Sequence, residues 1–449
     1  MILKLINKGH ERSIKMKKNI LESVLIKGGS VLVSLIMVPL TIGFINPTRY
    51  GIWLTISSVV AWFSFFDIGL TQGLRNKFAE ARARGDDAGA QVYVSTTYAL
   101  LAIIFVVLWL IFLVANPFLN WTALLGISKS MQTEVSTLAL IVFTYFCIQF
   151  VMRIVTTILT ADQQPSRASF IDFLGQLLSL CFIIILIKSA QDSLIWLGVA
   201  LCSAPIIVLT GANIFYFTGT YKKYRPLISK IDFAHSKDLL SLGMVFFVIQ
   251  IAFIIQFQTA NIIIAQNFGT AEVSSYYIVY KYFGILEMVS IIFVAPFWSA
   301  STEAFHKGDI DWIKSSVKQY NLLNILLAGA SVLMLLVSGT VYDLWLGKGT
   351  VDIGFQLSLW GFLFFNVSIF ATKYVEFLNG ISALRLQFYS SLVSPFVYII
   401  SALLLIKYAH VGVHAVFIAA IIANFNGFLL APIQYFQIIE KNKRGIWTK

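Results

Sequence analysis

The sequence predicts an all-α polytopic membrane protein with about 12 transmembrane helices in two similarly oriented six-helix bundles. Three observations support this fold class. Hydrophobic residues make up 58% of the 449-residue chain and charged residues only 12%, about half the charged fraction of a soluble domain. Apolar runs of about 20 residues, each long enough to cross a bilayer, recur along the chain. The third observation is an internal repeat.

The repeat is a heptapeptide that occurs twice, roughly half a chain apart. The segment 80–86 (EARARGD) returns as 303–309 (EAFHKGD), an offset of 223 residues, with four of the seven positions identical. Each copy follows an apolar run of span length. A second half that echoes the first is typical of transporters built from two similar bundles.

Hydropathy places the individual spans and the boundary between the halves. The longest polar stretch inside the chain, 218–239, separates span six from span seven. The predicted organisation is an N-terminal bundle over 1–217, a cytoplasmic linker over 218–239 and a C-terminal bundle over 240–449. The predicted spans are 24–45, 52–71, 94–115, 135–159, 170–188, 193–217, 240–265, 275–297, 319–343, 354–375, 388–407 and 412–436.

The distribution of basic residues predicts the orientation. With both termini in the cytoplasm, the cytoplasmic segments hold 25 of the 33 lysines and arginines, and the outer loops hold five. This is the bias of the positive-inside rule. The net charge of +12 therefore reflects topology and contact with anionic lipid headgroups, and a nucleic-acid partner is not expected. Both heptapeptides fall on the cytoplasmic side.

The sequence offers little that would carry catalysis. The stretch 347–350 (GKGT) lacks the spacing of a nucleotide-binding phosphate loop, so ATP hydrolysis by the chain is not expected. His410 and His414 are four residues apart, a spacing that places two metal ligands on one helix face. They have no obvious third ligand near the outer end of a span, which favours interfacial histidines over a metal site. We expect no cofactor and no metal.

Ionisable residues inside spans are the candidates for function. A charge at the bilayer centre costs roughly 2.5–3.5 kcal/mol on insertion scales, so such residues usually face a wet interior or a partner. Lys281 lies in span eight, Arg153 in span four and Lys27 at the inner end of span one. Each is a candidate contact for an anionic headgroup, with Lys281 the strongest. The alternative for each is snorkelling to the lipid headgroups.

Two acids and three amides complete the set of candidates. Asp67 and Glu287 lie in spans two and eight, where either could carry a proton or a sodium ion for coupling; a structural pairing between helices is an equal alternative. The three amides share one side of span seven, where they either line a polar path or form hydrogen bonds between helices. These residues are Gln250, Gln258 and Asn261.

Short motifs in both halves make the chain resemble a known family. In the first half they are Tyr50-Gly51, 67–70 (DIGL) and Arg75; in the second they are Tyr280-Lys281, Pro296 and 308–309 (GD). Together they resemble the O-antigen-type (Wzx-like) polysaccharide-unit flippases of the multidrug/oligosaccharidyl-lipid/polysaccharide exporter superfamily. Related lipid II flippases carry a basic residue at the place of Lys281.

The resemblance implies a V-shaped pair of six-helix bundles that works by alternating access in the bacterial inner membrane. The implied substrate is a short glycan on undecaprenyl pyrophosphate, moved to the outer leaflet by an ion gradient or by downstream consumption. One alternative is a cation-coupled drug antiporter, although spans one and seven lack the acids common in that branch. Another is a membrane polymerase or ligase, although the longest outer loop, 116–134, is too short for a substantial catalytic module.

Overall fold

The computed structural model describes residues 11–67, 69–162, 164–189, 193–235, 244–381 and 383–448. Across these ranges the chain forms helices and no β-strand, which confirms the predicted all-α class. In chain order the helices are α1 Glu11–Ala61, α2 Leu70–Ala83, α3 Asp87–Ala115, α4 Trp121–Leu125, α5 Gln132–Met152, α6 Ile154–Ala161, α7 Pro165–Ser189, α8 Leu194–Thr218, α9 Met244–Phe268, α10 Thr270–Lys307, α11 Ile310–Leu336, α12 Ser338–Leu346, α13 Phe355–Gly380, α14 Arg385–Lys407, α15 Ala415–Ala423 and α16 Ala431–Ile439.

Helix length and hydropathy agree with a chain that crosses the membrane many times. Within the described residues nine helical segments are long and apolar enough to span a bilayer, or ten if the bent pair α15 and α16 counts as one span. One of the nine, Leu25–Ser64, is 40 residues long, about 60 Å at the rise of an α-helix and twice the hydrocarbon thickness. It covers predicted span one and the first part of predicted span two, and α1 breaks between them at Asn46, whose φ is 68° and ψ is 163°.

Contacts divide the chain into two compact units. The first comprises Met1–Asn46, Val59–Ala123 and Ile127–Phe247; the second comprises Pro47–Ser58, Leu124–Gly126 and Val248–Lys449. The break at Asn46 is therefore also the point at which α1 passes from one unit to the other. Residues 47–58 pack with the helices of the second unit.

A close backbone contact holds residues 47–58 in the second unit. A Cβ added at Gly51 would overlap the carbonyl oxygen of Thr270, at the start of α10. One turn on, the Ser274 hydroxyl donates to the Pro47 carbonyl at 2.7 Å. The Tyr50-Gly51 motif thus has a packing role, because only glycine lets the two helices come this close.

Several predicted spans are interrupted helices. In predicted span two the α-helix ends at Ala61 and passes into a 3₁₀ turn over Trp62–Asp67. Gly69 then takes the left-handed conformation, with φ 79°, before α2 begins. Predicted span four changes helix at Arg153, and span nine at Val337. The last span bends by 46° between α15 and the π-helical turn Asn426–Leu430.

In each unit the repeated heptapeptide forms the same helix joint, in which one helix ends and the next begins. Gly85 and Gly308 end α2 and α10 with φ of 74° and 73°, a conformation that favours glycine. The next residue, Asp86 or Asp309, then caps the following helix, its carboxylate accepting from the N–H of Gly89 or Trp312. An aspartate cap satisfies one of the unpaired N–H groups of the first turn. The glycine–aspartate pair is therefore repeated because the joint needs it.

Candidate transport site

Lys281 lies near the middle of an apolar helix in the second unit. The apolar part of α10 runs from Thr270 to Val294, so Lys281 is 11 residues, or about 16 Å, from its start. The side chain is partly buried, and Nζ lies 5.4 Å from the centroid of the Tyr277 ring, one turn earlier. That ring meets Tyr50 edge-on at 6.0 Å. The lysine therefore stands beside an aromatic pair, an arrangement that stabilises a cation in an apolar setting.

Glu287 occupies a different side of the same helix. Its carboxylate accepts a hydrogen bond from the Ser368 hydroxyl on α13, and the side chain is partly buried. Six residues separate it from Lys281, which is 240° around a helix. The structure thus joins Glu287 to α13, as a polar contact between helices of the second unit.

The amides predicted on span seven lie on α9. Asn261 donates through Nδ2 to the Ser58 hydroxyl at 2.6 Å, and Ser58 is 4% exposed. This is an interhelical hydrogen bond between α9 and the end of the segment 47–58. Gln258 is partly buried on the same helix. The side chain of Gln250 falls outside the described residues.

The other two candidate cations are in the first unit. Arg153 lies at the break between α5 and α6 and pairs with Asp172 of α7, the guanidinium Nη2 to carboxylate distance being 3.0 Å. Both side chains are about half exposed, so this ion pair adds little stability. Lys27 is exposed on α1. This exposed position is compatible both with a contact to an anionic headgroup of the substrate and with snorkelling to the lipid headgroups.

Asp67 serves as a local cap in the structure. Its carboxylate accepts from the backbone N–H of Thr71 at 3.2 Å and from the Thr71 hydroxyl at 2.8 Å. The carboxylate thus covers the first turn of α2, immediately after the left-handed Gly69. Asp67 and Gly69 therefore lie at a helix break, where Asp67 caps the helix that follows.

Lys373 is a buried cation that the sequence analysis misses. It lies on α13 and is 1% exposed. Its ammonium donates to the Phe370 carbonyl at 2.8 Å and lies over the rings of Phe370 and Tyr374, at 4.2 and 4.5 Å. With the Asn324 amide in its favourable orientation, Asn324 also accepts from Nζ at 2.8 Å. In the sequence Lys373 is two residues from the end of predicted span 354–375, a position that groups it with the cations of the adjoining cytoplasmic loop.

No cluster suited to a metal is found in the described ranges, where no group of three or more histidine, cysteine, aspartate or glutamate residues comes together. In the second unit the candidate Lys281 lies beside aromatic rings, and in the first unit Arg153 is paired with Asp172.

Similarity to solved structures identifies the fold. The chain matches an inward-facing multidrug resistance MATE family transporter of the MOP superfamily with a TM-score of 0.71 and 15% sequence identity, over 94% of this chain and 96% of that one. An outward-facing MATE family transporter of the same superfamily matches with a TM-score of 0.63 and 15% identity, over 95% and 97% of the two chains. The protein therefore has the fold of these membrane transporters.

Proteins of similar sequence are named as transporters or exporters of O-antigen. A "Putative O-antigen transporter" of Salmonella typhi is 23% identical over 60% of this chain, an alignment that spans 61% of that protein. A "Putative O-antigen export protein" of Yersinia pseudotuberculosis is 21% identical over 79% of this chain and 81% of its own. No protein-family model matches the chain. The relatives confirm the resemblance seen in the motifs, and they are named as transport proteins, not enzymes.

Proposed function

We propose that this protein is a flippase for a lipid-linked oligosaccharide. It would move an undecaprenyl-pyrophosphate-linked glycan unit from the cytoplasmic to the outer leaflet by alternating access. Its location would be the bacterial inner membrane, with both termini in the cytoplasm. The names of the sequence relatives, O-antigen transporter and export protein, support this class of substrate.

The position of Lys281 within an apolar helix is the observation on which the proposal rests. A pyrophosphate that leaves water needs a cation nearby to offset its lost hydration. Lys281 supplies one about halfway along an apolar helix, at the depth that a translocating headgroup must pass. The adjacent Tyr277 ring offers a face on which a sugar can stack. The lipid tail can remain in the bilayer while the polar headgroup crosses.

The other cations and the polar side chains have supporting roles in the proposal. Arg153, although paired with Asp172, is exposed enough to exchange that partner for a phosphate. Lys27 would meet the headgroup near the cytoplasmic surface. Gln258 and Asn261 would contribute hydrogen bonds along the path, as would Gln250.

The energy source is proposed to be an ion gradient or the downstream consumption of the glycan. Glu287 is the better candidate for coupling, because protonation would weaken the hydrogen bond that its carboxylate accepts from Ser368 on α13. Asp67 is the weaker candidate, because its carboxylate caps α2. Neutralising Asp67 would disturb a helix end as well as any ion site.

A cation-coupled antiporter of drugs or other small molecules is the second candidate function. The fold shared with multidrug resistance transporters favours it. Both candidates predict a transporter, and they differ in the cargo. They are separated by what accumulates when the protein is absent.

A deletion strain distinguishes the two functions. For a flippase, lipid-linked glycan units should accumulate facing the cytoplasm, surface glycan should be lost, and the wild-type gene should restore it. For an antiporter, surface glycan should stay normal while intracellular drug rises. Normal surface glycan without accumulation of the lipid-linked unit would overturn the flippase proposal.

A further inference from the structure

The linker between the halves is docked onto the first unit. We call residues 219–232 the linker strap. Its two anchors, Tyr221 and Tyr224, are each 1% exposed, whereas Ile228 is 90% exposed. Two buried tyrosines in a stretch of largely exposed residues indicate a segment held at defined points.

Two carboxylates hold these tyrosines. The Tyr224 hydroxyl donates to Asp87, the first residue of α3, and the Lys223 ammonium binds the same carboxylate at 2.6 Å. The Tyr221 hydroxyl donates to Asp162 at 2.5 Å. Arg82, in the repeated heptapeptide, pairs with Asp162. The strap thus ties the helix joint at 80–86 to the end of α6.

The strap also follows one face of α3. Gln91 donates to the Arg225 carbonyl at 3.0 Å, and the Ser95 hydroxyl accepts from the N–H of Leu227 at 3.1 Å. Asp87, Gln91 and Ser95 are spaced four residues apart, which places them in one row on a helix. The strap is therefore held along more than two turns of α3.

The second unit has a corresponding segment after its last helix. We call residues 440–448 the C-terminal strap. Its Trp447 packs against the same buried cluster as Phe305 and Ile310, and its backbone carbonyl accepts from Gln434 at 2.8 Å. The Arg444 guanidinium lies 5.5 Å from the centroid of the Phe305 ring.

The offset of the heptapeptide relates the two straps. A shift of 223 residues converts Tyr224 into Trp447, and it converts Arg82 into Phe305. In the first unit the cation is on the joint and the aromatic ring on the strap, with Arg82 5.8 Å from the centroid of the Tyr224 ring. In the second unit the two are exchanged, since Phe305 is on the joint and Arg444 on the strap.

From this correspondence we propose that the linker strap and the C-terminal strap are two copies of the same structural element. Each strap locks the helix joint of its own unit, so that the cytoplasmic end of that unit moves as a rigid body. A unit that changes conformation as a body needs its helices fixed to one another. The role in transport rests on the proposed function, but the docking of the straps does not.

Limited proteolysis of the full-length protein in detergent tests the docking of the linker strap. Trypsin can cut at Lys222, Lys223, Arg225 and Lys230 only when the strap opens, so the cleavage rate follows the opening. Asp87→Ala removes the acceptor for both Tyr224 and Lys223, and we expect cleavage about ten- to hundredfold faster. Asp311→Ala, an acid in the first turn of α11, is the control and should leave the rate unchanged. Equal rates in wild type and Asp87→Ala would overturn the docking.

Thermal unfolding tests the C-terminal strap. Trp447→Ala should lower the melting temperature, because it removes an aromatic side chain from the cluster. Ile446→Ala is the matched control, since Ile446 is 50% exposed, and it should unfold like wild type. Equal melting temperatures for all three proteins would overturn the role of this strap.

Transport assays on folded variants test whether the straps contribute to flipping. Asp87→Ala and Trp447→Ala should slow flipping several-fold at equal amounts of folded protein. Wild-type flipping in both, together with faster cleavage or lower melting, would leave the straps as docked segments and overturn their role in transport. Absence of flipping by wild type would instead count against the proposed function, and the proteolysis and melting results would stand.

Discussion

Gly51→Ala should destabilise the second unit, because the added methyl has no space. Its Cβ would overlap the Thr270 carbonyl oxygen and lie 2.5 Å from the carbonyl carbon, whereas ordinary contact begins at 3.4 Å. One of the two backbones must therefore retreat by about 1 Å or more. Overpacking costs typically about 1–3 kcal/mol, and a clash with backbone belongs at the upper end. The hydrogen bond from Ser274 to Pro47 would be strained by the same shift.

The measurement is the melting temperature of the purified protein in detergent, with Gly43→Ala as control. Gly43 lies on the same helix, α1, and a Cβ there meets nothing within 4 Å. Alanine favours a helix over glycine by up to about 1 kcal/mol. The control should therefore match or exceed wild type while Gly51→Ala melts lower. Equal melting of Gly51→Ala and wild type would refute the close approach of the helices.

Three further predictions concern lysines. Lys281→Ala should abolish transport while the protein still inserts and folds, and Lys281→Arg should retain part of it; unchanged flipping by the alanine variant would remove Lys281 from the site. Lys373→Met should raise the melting temperature, because an apolar side chain of similar length replaces a desolvated ammonium; a lower value would show that its hydrogen bonds outweigh that cost. The hydrogen bond to Asp87 raises the pKa of Lys223. Its contribution is therefore complete below the unfolded lysine pKa of about 10.4 and is lost as the pH rises through the higher folded value. The melting difference between wild type and Lys223→Met should shrink over that interval, and a difference that stays constant would contradict the assignment.

Hydropathy predicts the helices well, because a backbone surrounded by lipid must satisfy its own hydrogen bonds and an α-helix does so within one segment. Within the described residues each of the twelve predicted spans coincides largely with helical structure, including the described part of the span at 240–265, which falls on α9. The breaks within spans are missed, because they depend on single residues. Gly69 ends a helix through its left-handed backbone, yet a hydropathy window reads through it. Arg153 is predicted within the cytoplasmic third of span four, and in the structure it lies between two helices.

The meaning of the repeat emerges only with the structure. From the sequence, the glycine and aspartate of the heptapeptide mark two similar halves. The structure adds that the glycine ends one helix and the aspartate caps the next. The straps are missed because Tyr224 and Trp447 are not identical. Extending the 223-residue offset beyond the heptapeptide would align them, and that is the signal available in the sequence.

The candidate site is less accessible to sequence reasoning, because burial and pairing decide the role of an ionisable residue. Lys281 is predicted and is found partly buried beside Tyr277. Lys373 is more deeply buried and is missed, because it lies close to a predicted span end. Proximity to a span end predicts exposure, but aromatic rings of α13 cover this ammonium.

Reconstitution tests the central claim most directly. The purified protein is placed in vesicles with a fluorescent glycan on undecaprenyl pyrophosphate, and the fraction reached by an external quencher or glycosidase is followed with time. The account predicts that wild type moves the lipid between leaflets and that Lys281→Ala vesicles behave like protein-free ones. Failure of folded wild type to flip any lipid-linked glycan offered would contradict the account.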